Sequence, residues 1–151
     1  MKVVLQRVSR ASVTVDGQIT GHIDEGLMLL VGIAVGDTER DVAYMADKCL
    51  NLRVFNDEQG RMNRSLLDTG GAILAVSQFT LLGETRKGRR PSYIQAAPPE
   101  QAQTLYNLFV ENLRQKGVKV ACGVFGAMMQ VELVNDGPVT LIIESKNGEK
   151  L

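Results

Sequence analysis

A chain of 151 residues, 44% of them hydrophobic, can bury one substantial core without covalent staples and is short for two domains. Its 17 basic and 17 acidic residues cancel to a formal net charge of zero, which excludes a global attraction for nucleic acid and leaves only local patches. Cys49 and Cys122 sit in apolar stretches with no C-x-x-C motif and no nearby histidine. They read as reduced core residues, with a catalytic thiol as the outside alternative. Residues 1–7 are too short and too interrupted for a signal peptide, and no apolar run approaches membrane-spanning length. A soluble, intracellular chain is expected, cytoplasmic and without membrane contact.

In chain order, residues 4–8, 11–15 and 18–23 alternate as strands, with Asp16-Gly17 as the hairpin turn between the last two. Gln6 and Arg7 interrupt the first strand and are expected to meet solvent by default, or another subunit. Residues 26–34 are continuously apolar, a central strand. Asp37-Thr38 caps an amphipathic helix whose inner face is Val42, Met45, Ala46, Cys49 and Leu50, packing residues rather than ligands. Residues 52–55 suggest a short strand, 56–60 a turn, and 61–67 a connection of no clear class. A second helix opens at Pro98-Pro99, buries Ala102, Leu105, Tyr106, Phe109 and Leu113, and stops at Gly117. Residues 118–122, 128–134 and 139–143 complete the strands, and the polar tail 146–151 is expected to be loose. The order predicts one mixed α/β domain over residues 1–151, a largely antiparallel sheet or partial barrel with two main helices packed against it.

The stretch with the most chemistry is 73–82, an apolar strand pattern ending in Ser77, Gln78 and Thr80. These side chains need partners if buried: either backbone at a strand end, or a ligand received on a pocket floor of hydroxyl, amide and N–H groups. Directly after it Arg86, Lys87, Arg89 and Arg90 crowd into five residues, either a solvated loop or a phosphate-binding rim beside that pocket. Phe125 lies in a short link and reads as core packing or as an aromatic brought to a strand end. Gly137-Pro138 joins two apolar strands, where proline makes a rigid trans turn or takes the cis form and fixes two carbonyl acceptors. His22 is the single histidine, and no cluster of His, Cys and carboxylates has metal-ligand spacing. No Walker loop or dinucleotide fingerprint is present, so no metal or cofactor is implied. An enzyme built this way relies on positioning, on backbone dipoles, or on a group its substrate brings.

Taken together, Ser77-Gln78-Phe79-Thr80-Leu81 and Asn135-Asp136-Gly137-Pro138-Val139-Thr140, in a chain that begins Val-Val-Leu-Gln-Arg-Val, resemble the paired signatures of the D-aminoacyl-tRNA deacylases. The resemblance covers nearly the whole chain. It implies a cytoplasmic homodimer that hydrolyses the ester between a D-amino acid, or glycine, and the terminal ribose of tRNA. It also implies that Ser77, Gln78, Phe79 and Thr80 form the floor receiving the terminal adenosine and the scissile carbonyl. Gly137 and Pro138 would be the family's cis-proline pair, reaching into the other subunit's pocket to reject L side chains, with Phe125 beside it. Two other classes remain open: a non-catalytic module that binds the tRNA end, and a hydrolase of small D-amino acid esters.

Overall fold

The computed structural model describes residues 1–151. Strand β1 (Lys2–Val15) is one long strand where two were expected, and it turns through Asp16 and Gly17, both at positive φ, into β2 (Gln18–Ile23). Asp-Gly adopts this turn because both central positions of a tight hairpin need φ above zero. Strand β3 (Gly26–Gly32) runs antiparallel to the first half of β1. Helix α1 (Glu39–Asn51) starts at Thr38, whose hydroxyl and the Asp41 carboxylate form a reciprocal capping box. Its buried face includes Val42, Met45, Ala46, Cys49 and Leu50, in keeping with their spacing.

The short strand expected at 52–55 forms only at Phe55 and Asn56, the expected turn at 56–60 links it to a second short strand, and the unclassified stretch 61–67 supplies that strand and the start of a turn of helix. Strands β4 (Phe55–Asn56) and β5 (Met62–Arg64) pair antiparallel, and α2 (Leu66–Thr69) is capped by Ser65 and closed by Gly70. Strand β6 (Ala72–Ser77) follows, then a 3-10 turn over Phe79–Leu82. Helix α3 (Pro99–Gln115) buries Ala102, Leu105, Tyr106, Phe109, Val110 and Leu113. Strand β7 (Val120–Cys122) and the 17-residue β8 (Gln130–Lys146) complete the main sheet. The two strands expected at 128–134 and 139–143 are therefore one. The tail is tied down rather than loose, because β9 (Glu149–Lys150) pairs with the end of β8 and the Gly148 N–H donates to Asp41 Oδ1 at 3.0 Å.

The sheet order is β7-β6-β3-β1-β8-β9, with β2 also paired to β1. The β3–β6 and β6–β7 pairs are parallel and the rest antiparallel, which fits a largely antiparallel mixed sheet. At Gly21 a Cβ would stand 2.6 Å from the Cys122 carbonyl oxygen, so β2 folds over toward β7 and the sheet curls as a partial barrel. Successive residues of β3 and β6 then enter two cores. Leu27, Leu29, Ile73 and Ala75 meet α1 and α3, whereas Met28, Leu74 and Val76 meet Val8, Val13 and Ile23 inside the curl. This double burial explains the continuous apolar runs of both strands.

A polar knot fastens the chain ends to α1. The N-terminal ammonium, buried with Met1, donates to Asp37 Oδ1 at 2.8 Å and to the Ser145 carbonyl at 2.9 Å. Buried Asp41 accepts the Thr38 N–H, the Ser145 hydroxyl and the Gly148 N–H. Burial opposes its charge, but those bonds and the nearby ammonium prevail and hold its carboxyl below the usual range.

Candidate functional site

Strands β3, β6 and β7 are parallel, so their carboxyl ends, Gly32, Ser77 and Cys122, share one edge of the sheet. That edge is where open α/β sheets present ligand groups. The strand pattern at 73–82 stops being a strand at Ser77. Gln78 still reaches the ladder, its N–H donating to the Val31 carbonyl at 2.8 Å, and the chain then tightens into the 3-10 turn. The turn packs against Gly32, where a Cβ would lie 2.6 Å from Leu82 Cδ2.

Because the turn begins at Phe79, the N–H groups of Phe79 and Thr80 have no acceptor within it. The Gln78 side-chain amide donates to Thr80 Oγ1. Ser77 and Gln78 are half-buried, while Phe79 and Thr80 are exposed. Hydroxyl, amide and backbone donors thus converge on open surface, and no carboxylate or imidazole hydrogen-bonds to Ser77 or Thr80 in this chain. His22 stands exposed elsewhere, beside Asp24. Phe125 belongs to the loop after β7 at the same edge, half-buried, its ring 6.1 Å from that of Tyr106. The Tyr106 hydroxyl donates to the Ala75 carbonyl at 3.0 Å, and burial pushes its ionisation up.

Gly83 leads from the turn into the basic loop. Glu84 and Ser92 close that loop by a two-way backbone bridge, N–H to O at 2.8 and 3.0 Å, leaving Arg86, Lys87, Arg89 and Arg90 exposed. Arg86 Nε lies 2.9 Å from Glu84 Oε1, which holds the Glu84 carboxyl below its ordinary value. An exposed pair of this kind adds little stability. It costs the loop only part of one positive charge.

The second motif is an excursion from the β1–β8 ladder. Gln6 pairs with Thr140 and Val8 with Asn135, so Arg7 alone faces Asp136, Gly137, Pro138 and Val139. The Gly137–Pro138 peptide is cis. Asn135 clamps the loop base, accepting the Val139 N–H at 2.8 Å and donating to Thr140 Oγ1 at 3.0 Å. A Cβ at Gly137 would stand 2.5 Å from the Val139 nitrogen, so no side chain fits there.

Arg7 is not a solvent-facing residue. It is 8% exposed, its Nε donates to the Asp136 carbonyl at 2.7 Å, and its Nη1 donates to the Val54 carbonyl at 2.8 Å and Asn56 Oδ1 at 3.3 Å. The guanidinium ties the loop to the body of the protein. The signal was in the alternation: Val3, Leu5 and Arg7 share one face of β1, and the first two are core. Asn135 stood in the second motif without a role of its own, and Tyr106 gave no comparable signal, since a Tyr on a helix face is ordinary.

Within one chain the two motifs do not meet. Ser77 lies opposite Val31, Val31 opposite Val3, and the loop opposite Arg7. From Val3 to Arg7 along the strand, and from β6 through β3 and β1 to β8 across it, the separation along the sheet is on the order of 20 Å. A cleft of about 420 Å³ beside the loop is lined by Arg7, Glu25, Arg64 and Asp136 among others. Another, of about 530 Å³, opens between the starts of α1 and α3 with Asp37, Glu39 and Glu100 in its wall. Neither includes a residue of 77–80, and the acidic wall disfavours phosphate. Cys49 is fully buried, its thiol pushed up to about 12, which suits a packing role. No helix is long and apolar enough to cross a membrane.

The fold is that of a single-domain mixed α/β protein in which the backbone and side-chain donors at the end of β6 are followed by an exposed cationic loop. The family model described as D-Tyr-tRNA(Tyr) deacylase matches residues 4–144, and the chain belongs to that family. A D-aminoacyl-tRNA deacylase of Bacillus velezensis is 63% identical over 146 residues, covering 97% of this chain and 99% of the relative. One of Brevibacillus brevis is 63% identical over 145 residues, covering 96% and 100%. Among solved structures, the c-Myc DNA Unwinding Element Binding Protein superposes with TM-score 0.91 at 47% identity, covering 97% of this chain and 99% of the other. A probable eukaryotic D-amino acid tRNA deacylase superposes with TM-score 0.81 at 19% identity, covering 93% and 97%; that likeness shows the fold.

Proposed function

We propose that this chain hydrolyses the ester of D-aminoacyl-tRNA, and of glycyl-tRNA, in the cytoplasm, releasing free amino acid and tRNA while sparing L-aminoacyl esters. Family membership and the names of the relatives support the reaction. The observation that carries the site assignment is the donor cluster at the end of β6, with unpaired N–H groups at Phe79 and Thr80 beside the Ser77 hydroxyl and the Gln78 amide. These residues receive the terminal adenosine and the scissile carbonyl. Phe125 borders them.

In the proposed reaction water adds to the ester carbon while the Phe79 and Thr80 N–H groups hold the developing oxyanion. The neighbouring ribose 2′-hydroxyl takes the water's proton and relays one to the departing 3′-oxygen, so no protein base is required. Thr80 is a positioning group on this reading, since no base stands beside it to activate its hydroxyl. Chirality is judged by Gly137 and Pro138. Their fixed carbonyls accept the substrate's α-ammonium and crowd the place of an L side chain, whereas hydrogen or a D side chain points away.

One chain holds these two elements too far apart to act on one ester, which supports a homodimer in which the Gly137-Pro138 loop of one copy completes the pocket of the other. The exposed apolar residues Val134, Leu141 and Ile142 on β8 suit such a contact. Arg86, Lys87, Arg89 and Arg90 rim the site and take the phosphates leading to the acceptor end.

The deciding experiment incubates catalytic amounts of the protein with D-tyrosyl-, L-tyrosyl- and glycyl-tRNA. Release from the D and glycyl esters with the L ester intact is expected. Stoichiometric binding without release would instead make the protein a holder of tRNA ends, a reading kept in view by the name of one structural relative, a DNA-binding protein. Equal turnover of small D-amino acid esters, insensitive to salt, would make tRNA incidental.

A further inference from the structure

Phe79 and Tyr93 form an exposed aromatic pair that the proposed floor does not use as rings. Phe79 is 56% and Tyr93 39% exposed, their centroids are 5.1 Å apart, and the planes meet at 72°, an edge-to-face pair. Tyr93 is held in place by its surroundings. A Cβ at Gly83 would come within 3.0 Å of Tyr93 Cε1, so the ring lies against the Gly83 backbone, and the Tyr93 carbonyl accepts the Ala96 N–H at 3.0 Å. Tyr93 directly follows Ser92, the residue that closes the basic loop by pairing with Glu84. The pair therefore lies between the donor cluster and the cations. Of these, Lys87, Arg89 and Arg90 make no ion pair within the chain.

From this juxtaposition of a fixed, exposed aromatic pair and a cationic loop at one root, we infer that Tyr93, buttressed by Phe79, is a stacking platform for a base of the single-stranded tRNA end just before the terminal adenosine. The adjoining phosphates fall to Lys87, Arg89 and Arg90. Aromatic faces that accept any base, beside a charged track for the backbone, are the general means of holding single-stranded nucleic acid. The inference rests on the deacylase reading for its substrate. It adds a subsite outside the ester pocket, so an ester on adenosine alone does not reach it.

The test compares wild type, Tyr93→Leu and Tyr93→Phe on two esters, D-aminoacyl-tRNA and the same D-amino acid on adenosine. Tyr93→Leu is expected to lower kcat/KM on charged tRNA, through KM, by about fivefold or more relative to its effect on the adenosine ester, with Tyr93→Phe restoring most of it. Equal effects on both esters, or none on tRNA, overturn the proposal. Binding of an end-labelled, short single-stranded RNA ending in CCA separates this proposal from the deacylase reading. Weakening of about fivefold or more by Tyr93→Leu, rescued by phenylalanine, supports the platform even if neither ester is hydrolysed. Unchanged RNA affinity with an altered molecular mass in solution assigns the aromatic pair to a subunit contact and overturns it.

Discussion

Replacing Arg7 by methionine keeps an apolar stem in the place of the arginine's aliphatic part and removes the guanidinium. Two short charge-assisted bonds disappear, to the Asp136 carbonyl at 2.7 Å and the Val54 carbonyl at 2.8 Å, along with a longer one to Asn56 Oδ1. At about 1.5–3 kcal/mol for each short bond the gross loss is about 3–6 kcal/mol. Methionine returns part of this, because a cation no longer has to be desolvated, and a net loss of about 3 kcal/mol is expected. For a chain of this length that lowers the melting temperature by about 6–12 °C. The functional consequence follows from the position of the bond. Asp136 adjoins Gly137, so the loop loses its tie to β1, and the proposed chiral filter loses its fixed geometry. Discrimination between D- and L-tyrosyl-tRNA should fall by about tenfold or more, the effect of ~1.4 kcal/mol of differential interaction. Thermal melts and paired deacylation rates measure both. A melting temperature within about 2 °C of wild type, together with an unchanged D/L ratio, would refute the assignment of Arg7 as the anchor.

The remaining predictions concern the ends of the chain, the rim and the floor. Asp41 has a depressed carboxyl in the folded state, so it contributes stability above its unfolded value near 3.8, and that contribution drains away as pH falls through the lower folded value. Asp41→Asn should flatten the acid side of the stability profile below about pH 4, as read by denaturant titrations at stepped pH; an unchanged acid limb would show that other carboxylates govern it. Asp37→Asn breaks the buried pair with the N-terminal ammonium and should cost about 3–5 kcal/mol, with the denaturation midpoint reporting the loss. Thr80→Ala should retain appreciable deacylation, because Thr80 positions rather than attacks; near-complete loss with tRNA binding intact would instead favour covalent catalysis. Neutralising Lys87, Arg89 and Arg90 together should weaken tRNA binding and reduce its salt dependence by roughly 0.7–0.9 in slope for each phosphate no longer neutralised, and an unchanged slope would remove the loop from the interface.

The elements that local chemistry dictates were legible from the residues. Thr38 with Asp41, the helical spacing from Val42 to Leu50, Pro99 at the start of α3 and Asp16-Gly17 at the hairpin each act through neighbours a few positions away. The two candidate motifs were legible for separate reasons: Ser77, Gln78 and Thr80 are polar side chains in an apolar run and demand partners, and Gly137-Pro138 sets a proline between two apolar strands. Three features depended on residues far apart in the chain. Whether 128–143 was two strands or one depended on β1 lying alongside throughout, with Arg7 opposite the excursion. The tail at 146–151 reads as loose until Asp41, more than a hundred residues away, offers its carboxylate to Gly148. Arg7 reads as a surface residue until Asp136 and Val54 arrive as acceptors. Propensity and periodicity report only on near neighbours, whereas a buried charge is tolerated or excluded by partners that the chain supplies only once folded. The spacing of the two motifs belongs to the same class: sequence sets their order, but strand register places them on the order of 20 Å apart along one sheet.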